Sequence, residues 1–204
     1  MNNLNDIAEL YQRYGAERYG GEAVNQMQHA LQCAHLAQQA GSSPELITAS
    51  FLHDIGHLVH QLGEDCAIRG IDDAHEVRGE RVLKPFFPQS VVLPIALHVE
   101  AKRCLCTIDT SYYETLSPAS VASMTLQGPR FSEGQVADFL ALPYGQDALS
   151  LRRWDDLAKD PQAQTPSFEY FWTIVISTAT NKALAGQASG GDHPPIAHWT
   201  TQSP

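Results

Sequence analysis

Apolar residues recur along most of this chain at intervals of three and four, a spacing that predicts amphipathic α-helices. The segment from Glu22 to Ala40 is rich in alanine, leucine and glutamine, and Gly41 follows it as a helix stop. Ser43 and Pro44 then predict the start of a helix that runs to about His60. We expect further helices over residues 73–84, 90–103, 117–126, 132–141, 146–155 and 166–183.

This pattern favours an all-α fold with one domain, a helical bundle over residues 1–185. Glycine, serine, proline and threonine dominate residues 186–204, which we expect to form an irregular tail. A chain of 204 residues is long enough to bury a substantial core in a single domain.

Two local features qualify the helix prediction. Gly56 inside a helix costs roughly 1 kcal/mol relative to alanine, so it indicates close approach by another backbone or a ligand. Asp73 followed by Glu76 resembles a capping box at the start of the helix that carries His75.

Composition excludes several classes of protein. The formal net charge of −10 argues against a general nucleic-acid-binding surface. No apolar run reaches the length that spans a bilayer, and the first residues lack the features of a secretory signal. The four cysteines, including Cys104 and Cys106, do not follow a disulfide pattern, so we expect reduced thiols in a cytoplasmic protein. We therefore expect neither nucleic acid nor membrane as a partner, and no oligomeric state follows from the sequence.

The stretch from His53 to His57 carries the strongest chemical signal. It holds an imidazole, a carboxylate and a second imidazole within about one helical turn. A single buried histidine is more often a hydrogen-bonded core residue than a metal ligand. Here further candidates stand on separate predicted helices, and they are His29, His75, His98 and one of the adjacent pair Asp155 and Asp156.

Imidazole and carboxylate ligands without thiolate suit iron, manganese or zinc. Six ligands exceed what one structural zinc requires. Two metal ions that share Asp54 would account for all of them. Lys102 lies one helical turn after His98, on the same predicted face, where it could meet a bound anion.

The motifs around these residues resemble the HD-domain superfamily, most of whose members are metal-dependent phosphohydrolases. The local contexts are more similar to a smaller branch, the mixed-valent diiron oxygenases that cleave carbon–phosphorus bonds in organophosphonates. The similarity spans roughly residues 14–159 and stops before the aromatic segment that begins near Ser167. The matching stretches are 19–26, 29–34, 51–57, 98–103, 116–120, 127–129 and 153–155.

The resemblance implies an HD-domain bundle that holds an Fe(II)/Fe(III) pair and uses O2 as a co-substrate. It assigns His29, His53, Asp54 and Asp155 to one iron. It assigns Asp54, His75 and His98 to the second, so that Asp54 is the bridge.

The same resemblance implies roles for residues outside the metal ligands. Lys102, Ser120 and His57 would contact the phosphonate. Tyr19 would occupy an open iron position until substrate enters, and Glu22 would lie near a cationic nitrogen of the substrate. Asp54 and His57 are the residues to which a catalytic role is assigned.

The leading hypothesis is an iron- and O2-dependent oxygenase that cleaves the carbon–phosphorus bond of a 1-hydroxyalkylphosphonate. A substrate with a 2-amino or 2-trimethylammonio group would yield phosphate together with glycine or glycine betaine. One alternative is a phosphohydrolase acting on a nucleotide or small phosphomonoester through the same ligands. Another is a non-catalytic HD module with a regulatory or scaffold role.

Overall fold

The chain folds into α-helices connected by turns and loops. The structure is a computed structural model, and it describes residues 1–17, 19–59, 66, 69–181 and 183–184. No β-sheet forms in these described ranges, so the predicted all-α class is confirmed. The helices are α1 (Leu4–Tyr14), α2 (Gln26–Gln39), α3 (Pro44–Leu52), α4 (Ile55–Val59), α5 (His75–Leu83), α6 (Gln89–Ile108), α7 (Tyr112–Thr115), α8 (Pro118–Gln127), α9 (Glu133–Leu140), α10 (Gly145–Leu157) and α11 (Phe168–Thr178).

Side-chain caps fix the start of several helices where the sequence predicts them. Ser43, Ser117 and Ser132 each accept a hydrogen bond from a backbone N–H in the first turn of α3, α8 and α9. Ser132 also forms a capping box with Gln135. These local signals were sufficient because a cap depends only on residues within one turn.

The predicted start of α2 at Glu22 is wrong, because α2 begins at Gln26. Asn25 caps it in a capping box with Gln28. Before that cap the chain turns, and Gly20 and Gly21 adopt positive φ angles of 50° and 83°. Residues 19–24 therefore form a loop rather than part of the helix.

The single helix predicted from Pro44 to about His60 is also wrong. Helix α3 ends at Leu52, and α4 begins at Ile55. His53 and Asp54 form the turn between the two helices, and His60 lies outside the described residues. The break therefore falls at the two residues with the strongest chemical signal.

Two other predicted starts differ from the structure. Helix α5 has Ala74 as its N-cap, in the left-handed conformation at φ 48°, and the predicted capping box is not made. Helix α6 starts at Gln89 after Pro88, rather than at Ser90, and continues to Ile108. Helix α1 and the short α7 do not correspond to any helix predicted from the sequence.

The buried apolar residues form two clusters. The first includes Phe51 and Phe171, so α11 belongs to the main core although the family resemblance stops before it. The second surrounds Leu105 and Phe139. Helices α6 and α10 contribute to both clusters, which places His98 of α6 at their junction. Among the described helices, none combines the length and the apolar character needed to cross a bilayer.

Candidate metal centre

Six side chains predicted as metal ligands converge at the junction of the two core clusters. Helices α2, α6 and α10 supply His29, His98 and Asp155, and His75 is the first residue of α5. His53 and Asp54 come from the turn between α3 and α4. All six residues are at least nine-tenths buried. The structure thus brings together residues up to 126 positions apart, from His29 to Asp155.

The four histidines are oriented by hydrogen bonds on the Nδ1 side of each ring. With Nδ1 as the donor, each Nε2 carries a lone pair directed into the centre. The acceptors of the Nδ1 hydrogen bonds are Ala158 O for His29 (2.9 Å), Ser50 O for His53 (3.0 Å), Asp73 Oδ1 for His75 (2.9 Å) and Ile95 O for His98 (2.7 Å).

The two oxygens of Asp54 face different pairs of histidines. Oδ2 lies 3.4 Å from His29 Nε2 and 3.2 Å from His53 Nε2. Oδ1 lies 3.6 Å from the Nε2 atoms of both His75 and His98. A carboxylate placed in this way can bridge two cations.

The arrangement fits a metal ion because, without a cation between them, its polar atoms face one another unfavourably. His29 Nε2 and His53 Nε2 are 3.3 Å apart, and His75 Nε2 and His98 Nε2 are 3.0 Å apart. Asp54 Oδ2 is a buried oxygen that receives no hydrogen bond from the described residues. Lone pairs and a carboxylate facing each other in a buried site are stabilised by a cation between them.

Four groups of donor atoms among the described residues could hold such a cation, each within 4.8 Å, and two of these groups share Asp54. One consists of His29, His53, Asp54 and Asp155, and the other of Asp54, His75 and His98. Nitrogen and oxygen donors in this combination suit iron, manganese or zinc. Cys33 Sγ lies 3.7 Å from His29 Nε2 and forms a further donor group with His29 and His53, and burial raises the pKa of its thiol.

The charge states of Asp54, Asp155 and His98 are those that suit metal binding. Burial opposes ionisation of Asp54, yet the neighbouring His53 and His29 hold its pKa well below the usual range. Burial likewise opposes ionisation of Asp155, and the Arg152 guanidinium lowers its pKa. Burial, with His75 and His53 nearby, lowers the pKa of His98 and leaves its ring neutral. Two ionised carboxylates and a neutral imidazole are the forms that coordinate metals.

Asp155 and Asp156 both pair with Arg152, but their other contacts differ. Its Nη1 lies 2.7 Å from Asp155 Oδ2, while Asp155 Oδ1 lies 3.4 Å from His29 Nε2. Asp156 instead pairs with Arg152 Nη2 and accepts a hydrogen bond from the Tyr112 hydroxyl. Only Asp155 of this pair therefore belongs to the histidine cluster among the described donor groups.

The five residues predicted to contact substrate line a cavity of about 380 Å³ beside the histidine cluster. The Tyr19 ring stacks on the His29 ring at 3.8 Å, and its hydroxyl donates to Asp155 Oδ1 at 3.3 Å. His57 stacks on His75 at 4.1 Å, and its Nδ1 lies 2.7 Å from Asp73 Oδ2. Tyr19 and His57 thus flank the two histidine pairs on the cavity side.

Lys102 lies in the wall of the same cavity and is 1% exposed. Its Nζ donates a hydrogen bond to Ser123 Oγ at 2.8 Å. Burial, and then the positive charge of Arg152, lower the pKa of this lysine to about 7. Such a site is costly for the free ammonium and favours its pairing with an anionic ligand.

Glu22 and Ser120 are joined through a residue that the sequence analysis missed. Lys159 Nζ lies 3.1 Å from Glu22 Oε1 and 3.2 Å from Ser120 Oγ. Ser117 Oγ also donates to Glu22 Oε1, at 2.6 Å. The predicted contact residues therefore belong to a connected polar network.

Three further residues that were not predicted to belong to the site contact residues that were. Asp73 was interpreted as a helix cap, but its carboxylate accepts from both His57 and His75. Ser123 could have been found from its position one turn after Ser120 on the same helix face. Arg152 could have been found from Asp155 and Asp156, which follow it by three and four residues on the same helix. Its contacts with Tyr112 and Ser120 depend on helix packing.

The chain is similar in sequence to proteins of one known family. The HD-domain family model matches residues 27–104. The chain is 41% identical over 175 residues to the hydroxymethylphosphonate dioxygenase of Gimesia maris, which covers 85% of this chain and 87% of that protein. It is 36% identical over 169 residues to the glycine-betaine-forming 1-hydroxy-2-(trimethylamino)ethylphosphonate dioxygenase of Leisingera caerulea, with 83% and 86% covered. An uncharacterized protein of Acanthamoeba polyphaga mimivirus is 30% identical over 186 residues, with 89% and 85% covered.

Proposed function

This chain belongs to the HD-domain oxygenases that cleave carbon–phosphorus bonds, and from that membership we propose that it degrades a 1-hydroxyalkylphosphonate with iron and O2. It is an enzyme that acts as an oxygenase. The observation that carries the proposal is the position of Asp54, whose two oxygens face two histidine pairs at the edge of a cavity lined by Lys102.

The proposed cofactor is a pair of iron ions in the Fe(II)/Fe(III) state. His29, His53, Asp54 and Asp155 would hold one ion, and Asp54, His75 and His98 the other. Bound iron would supply the redox and Lewis-acid chemistry that an O2-dependent cleavage requires. The buried Asp54 Oδ2, which receives no hydrogen bond within the described part of the chain, supports its role as the bridge.

Three residues would hold the phosphonate in the cavity. Lys102 would supply a charge-assisted hydrogen bond from a desolvated ammonium. Ser120 would donate from its hydroxyl. His57 would donate from Nε2, since its bond to Asp73 raises its pKa although burial opposes this. A protonated His57 next to the cluster also supports its proposed catalytic role as a proton holder.

Tyr19 would cover the metal site before substrate binds. Its ring covers His29, and its hydroxyl reaches Asp155, so it lies over one donor group. Residues 19–22 form a turn in which Glu22 N donates to Tyr19 O at 2.7 Å. A movement of this turn would shift Tyr19 and Glu22 together when substrate enters.

The proposed reaction conserves atoms and charge without water. A 1-hydroxyalkylphosphonate dianion and O2 give a carboxylate, hydrogen phosphate and one proton. The carbon–phosphorus bond breaks, the hydroxyl-bearing carbon is oxidised, and O2 is reduced as its two atoms enter the two products. Substrates with a 2-amino or 2-trimethylammonio group would give glycine or glycine betaine, and hydroxymethylphosphonate would give formate.

We also propose that the enzyme is cytoplasmic. Cys33, Cys66, Cys104 and Cys106 are free and buried. Free thiols without a disulfide pattern are typical of a reducing compartment.

Phosphate release by iron-loaded protein from a panel of 1-hydroxyphosphonates tests the function. We expect turnover in air and none without O2. Full activity without O2 would show a hydrolase instead. Asp54→Ala should lose both iron and turnover, whereas Asp138→Ala on the far helix α9 serves as the matched carboxylate control and should keep both.

A further inference from the structure

The Glu22–Lys159 ion pair occupies one wall of the proposed substrate cavity. Both residues line the cavity, and their side chains are 16% and 14% exposed. Glu22 Oε1 lies 3.1 Å from Lys159 Nζ and accepts a hydrogen bond from Ser117 Oγ at 2.6 Å. The carboxylate is therefore already bound to a cation from the protein itself.

The backbone that carries Lys159 is fixed by the metal centre. Ala158, the preceding residue, uses its carbonyl to accept the Nδ1 hydrogen bond of His29 at 2.9 Å. Lys159 N donates to Leu157 O at the end of α10. The ammonium is thus held in place from the same segment that orients a candidate metal ligand.

The ion pair is connected to the reacting end of the cavity. Lys159 Nζ lies 3.2 Å from Ser120 Oγ and 3.1 Å from Ser117 Oγ. Arg152 Nη2 lies 3.4 Å from Ser120 Oγ, and its Nη1 contacts Asp155. A substituent on the hydroxyl-bearing carbon of a phosphonate at Ser120 would therefore lie close to Lys159.

We propose that Lys159 determines substrate selectivity by neutralising Glu22, so that the site favours 1-hydroxyphosphonates without a cationic nitrogen, hydroxymethylphosphonate above all. This inference rests on the proposed function. A substrate ammonium directed at Glu22 would meet the Lys159 ammonium, and like charges in a partly desolvated site repel strongly. It would also compete for a carboxylate that already has two partners. A substrate that carries hydrogen in place of the cationic substituent avoids both the repulsion by Lys159 and the competition for Glu22.

The test compares hydroxymethylphosphonate with 1-hydroxy-2-(trimethylammonio)ethylphosphonate on iron-loaded enzyme. The readouts are kcat/KM for phosphate release in air and Kd without O2, where turnover stops and binding alone is measured. We expect the wild type to prefer hydroxymethylphosphonate. Lys159→Met should shift the preference at least tenfold toward the cationic substrate, because it releases Glu22 from its partner.

Matched variants isolate the charge effect. Lys159→Arg keeps the positive charge and should keep the wild-type preference, which separates loss of charge from damage to folding. Glu22→Gln combined with Lys159→Met should abolish the shift. Glu17→Gln combined with Lys159→Met should retain it, since Glu17 lines the cavity without belonging to the pair. Lys84→Met, at an exposed lysine directly after α5 that does not line the cavity, should match the wild type.

Two results would overturn the proposal. One is a wild-type preference for the trimethylammonio substrate, and the other is an unchanged preference in Lys159→Met. If neither substrate releases phosphate in air, the proposed function fails instead. The ratio of the two Kd values would still decide the selectivity in that case.

Discussion

The carbonyl oxygen of His75 fills the space where a side chain on residue 56 would begin. A Cβ built on Gly56 would lie 2.0 Å from that oxygen and 2.6 Å from the carbonyl carbon. The absence of a side chain therefore lets α4 pack directly against the first turn of α5. This contact explains why glycine stands in the middle of the His53–His57 stretch.

Gly56→Ala should push His75 away from the centre and destabilise the fold. Overpacking typically costs about 1–3 kcal/mol, and contact with rigid backbone places this variant at the upper end. Urea unfolding and iron content of the purified protein measure the two effects. Gly79→Ala is the control, because its Cβ would meet Ile95 Cγ2 at an ordinary 3.5 Å. Equal stability of the two variants would contradict the assigned role of Gly56.

Asp73→Asn should weaken the centre through two histidines at once. Asp73 accepts from His57 Nδ1 at 2.7 Å and from His75 Nδ1 at 2.9 Å, and an amide offers only one acceptor oxygen. Loss of such a supporting carboxylate typically lowers metal affinity or activity about 10–100-fold. Iron titration and kcat/KM measure both. The adjacent, exposed Asp72→Asn should change neither by more than about twofold, and similar behaviour of both variants would refute the prediction.

Substrate affinity should fall as the pH rises because of Lys102. With its pKa lowered to about 7, this lysine is charged below that pH and neutral above it. A phosphonate dianion binds the charged form, so Kd should rise roughly tenfold per pH unit once the neutral form dominates. Metal cations bound nearby would lower the pKa of Lys102 further, so the rise in Kd begins no higher than about pH 7. Anaerobic titration measures it, and Lys102→Met should bind weakly without this pH dependence.

The same lysine should make stability depend on pH. Its folded pKa lies below the unfolded value of 10.5, so between those values the unfolded chain binds the extra proton. Stability of the metal-free wild type should therefore rise with pH across this window, relative to Lys102→Met. Below about pH 7 the variant should be the more stable protein in urea. A parallel pH dependence of both proteins would exclude a buried ammonium at this position.

The two adjacent aspartates should behave differently when removed. Asp155→Ala should lower iron content from the proposed two ions per chain toward one, since its carboxylate faces His29. Asp156→Ala should retain the iron but lower stability by about 1–3 kcal/mol, because buried Arg152 and Tyr112 lose an acceptor while Arg152 keeps its pair with Asp155. Iron analysis and urea unfolding distinguish these outcomes. Iron loss in Asp156→Ala alone would reverse the assignment.

Local sequence signals were reliable where the structure depends on near neighbours. The caps at Ser117 and Ser132 are correct because each satisfies the first turn of its own helix. Helix α1 was missed although Leu4, Ile7 and Tyr11 repeat at helical spacing and all are buried. Gly56 was correctly interpreted as a point of close approach, but its partner, the His75 carbonyl, lies 19 positions away along the chain.

The sequence by itself determined the helical class, the kinds of donor atoms and the membership of the family. Only the tertiary structure divided the oxygens of Asp54 between two histidine pairs, because these histidines come from separate segments and Asp54 lies in a turn that helical periodicity treats as continuous helix. The joint hydrogen bonding of His57 and His75 by Asp73 and the pairing of Glu22 with Lys159 have the same origin. Side chains from separate helices meet at angles set by packing, and spacing along the chain carries no record of those angles.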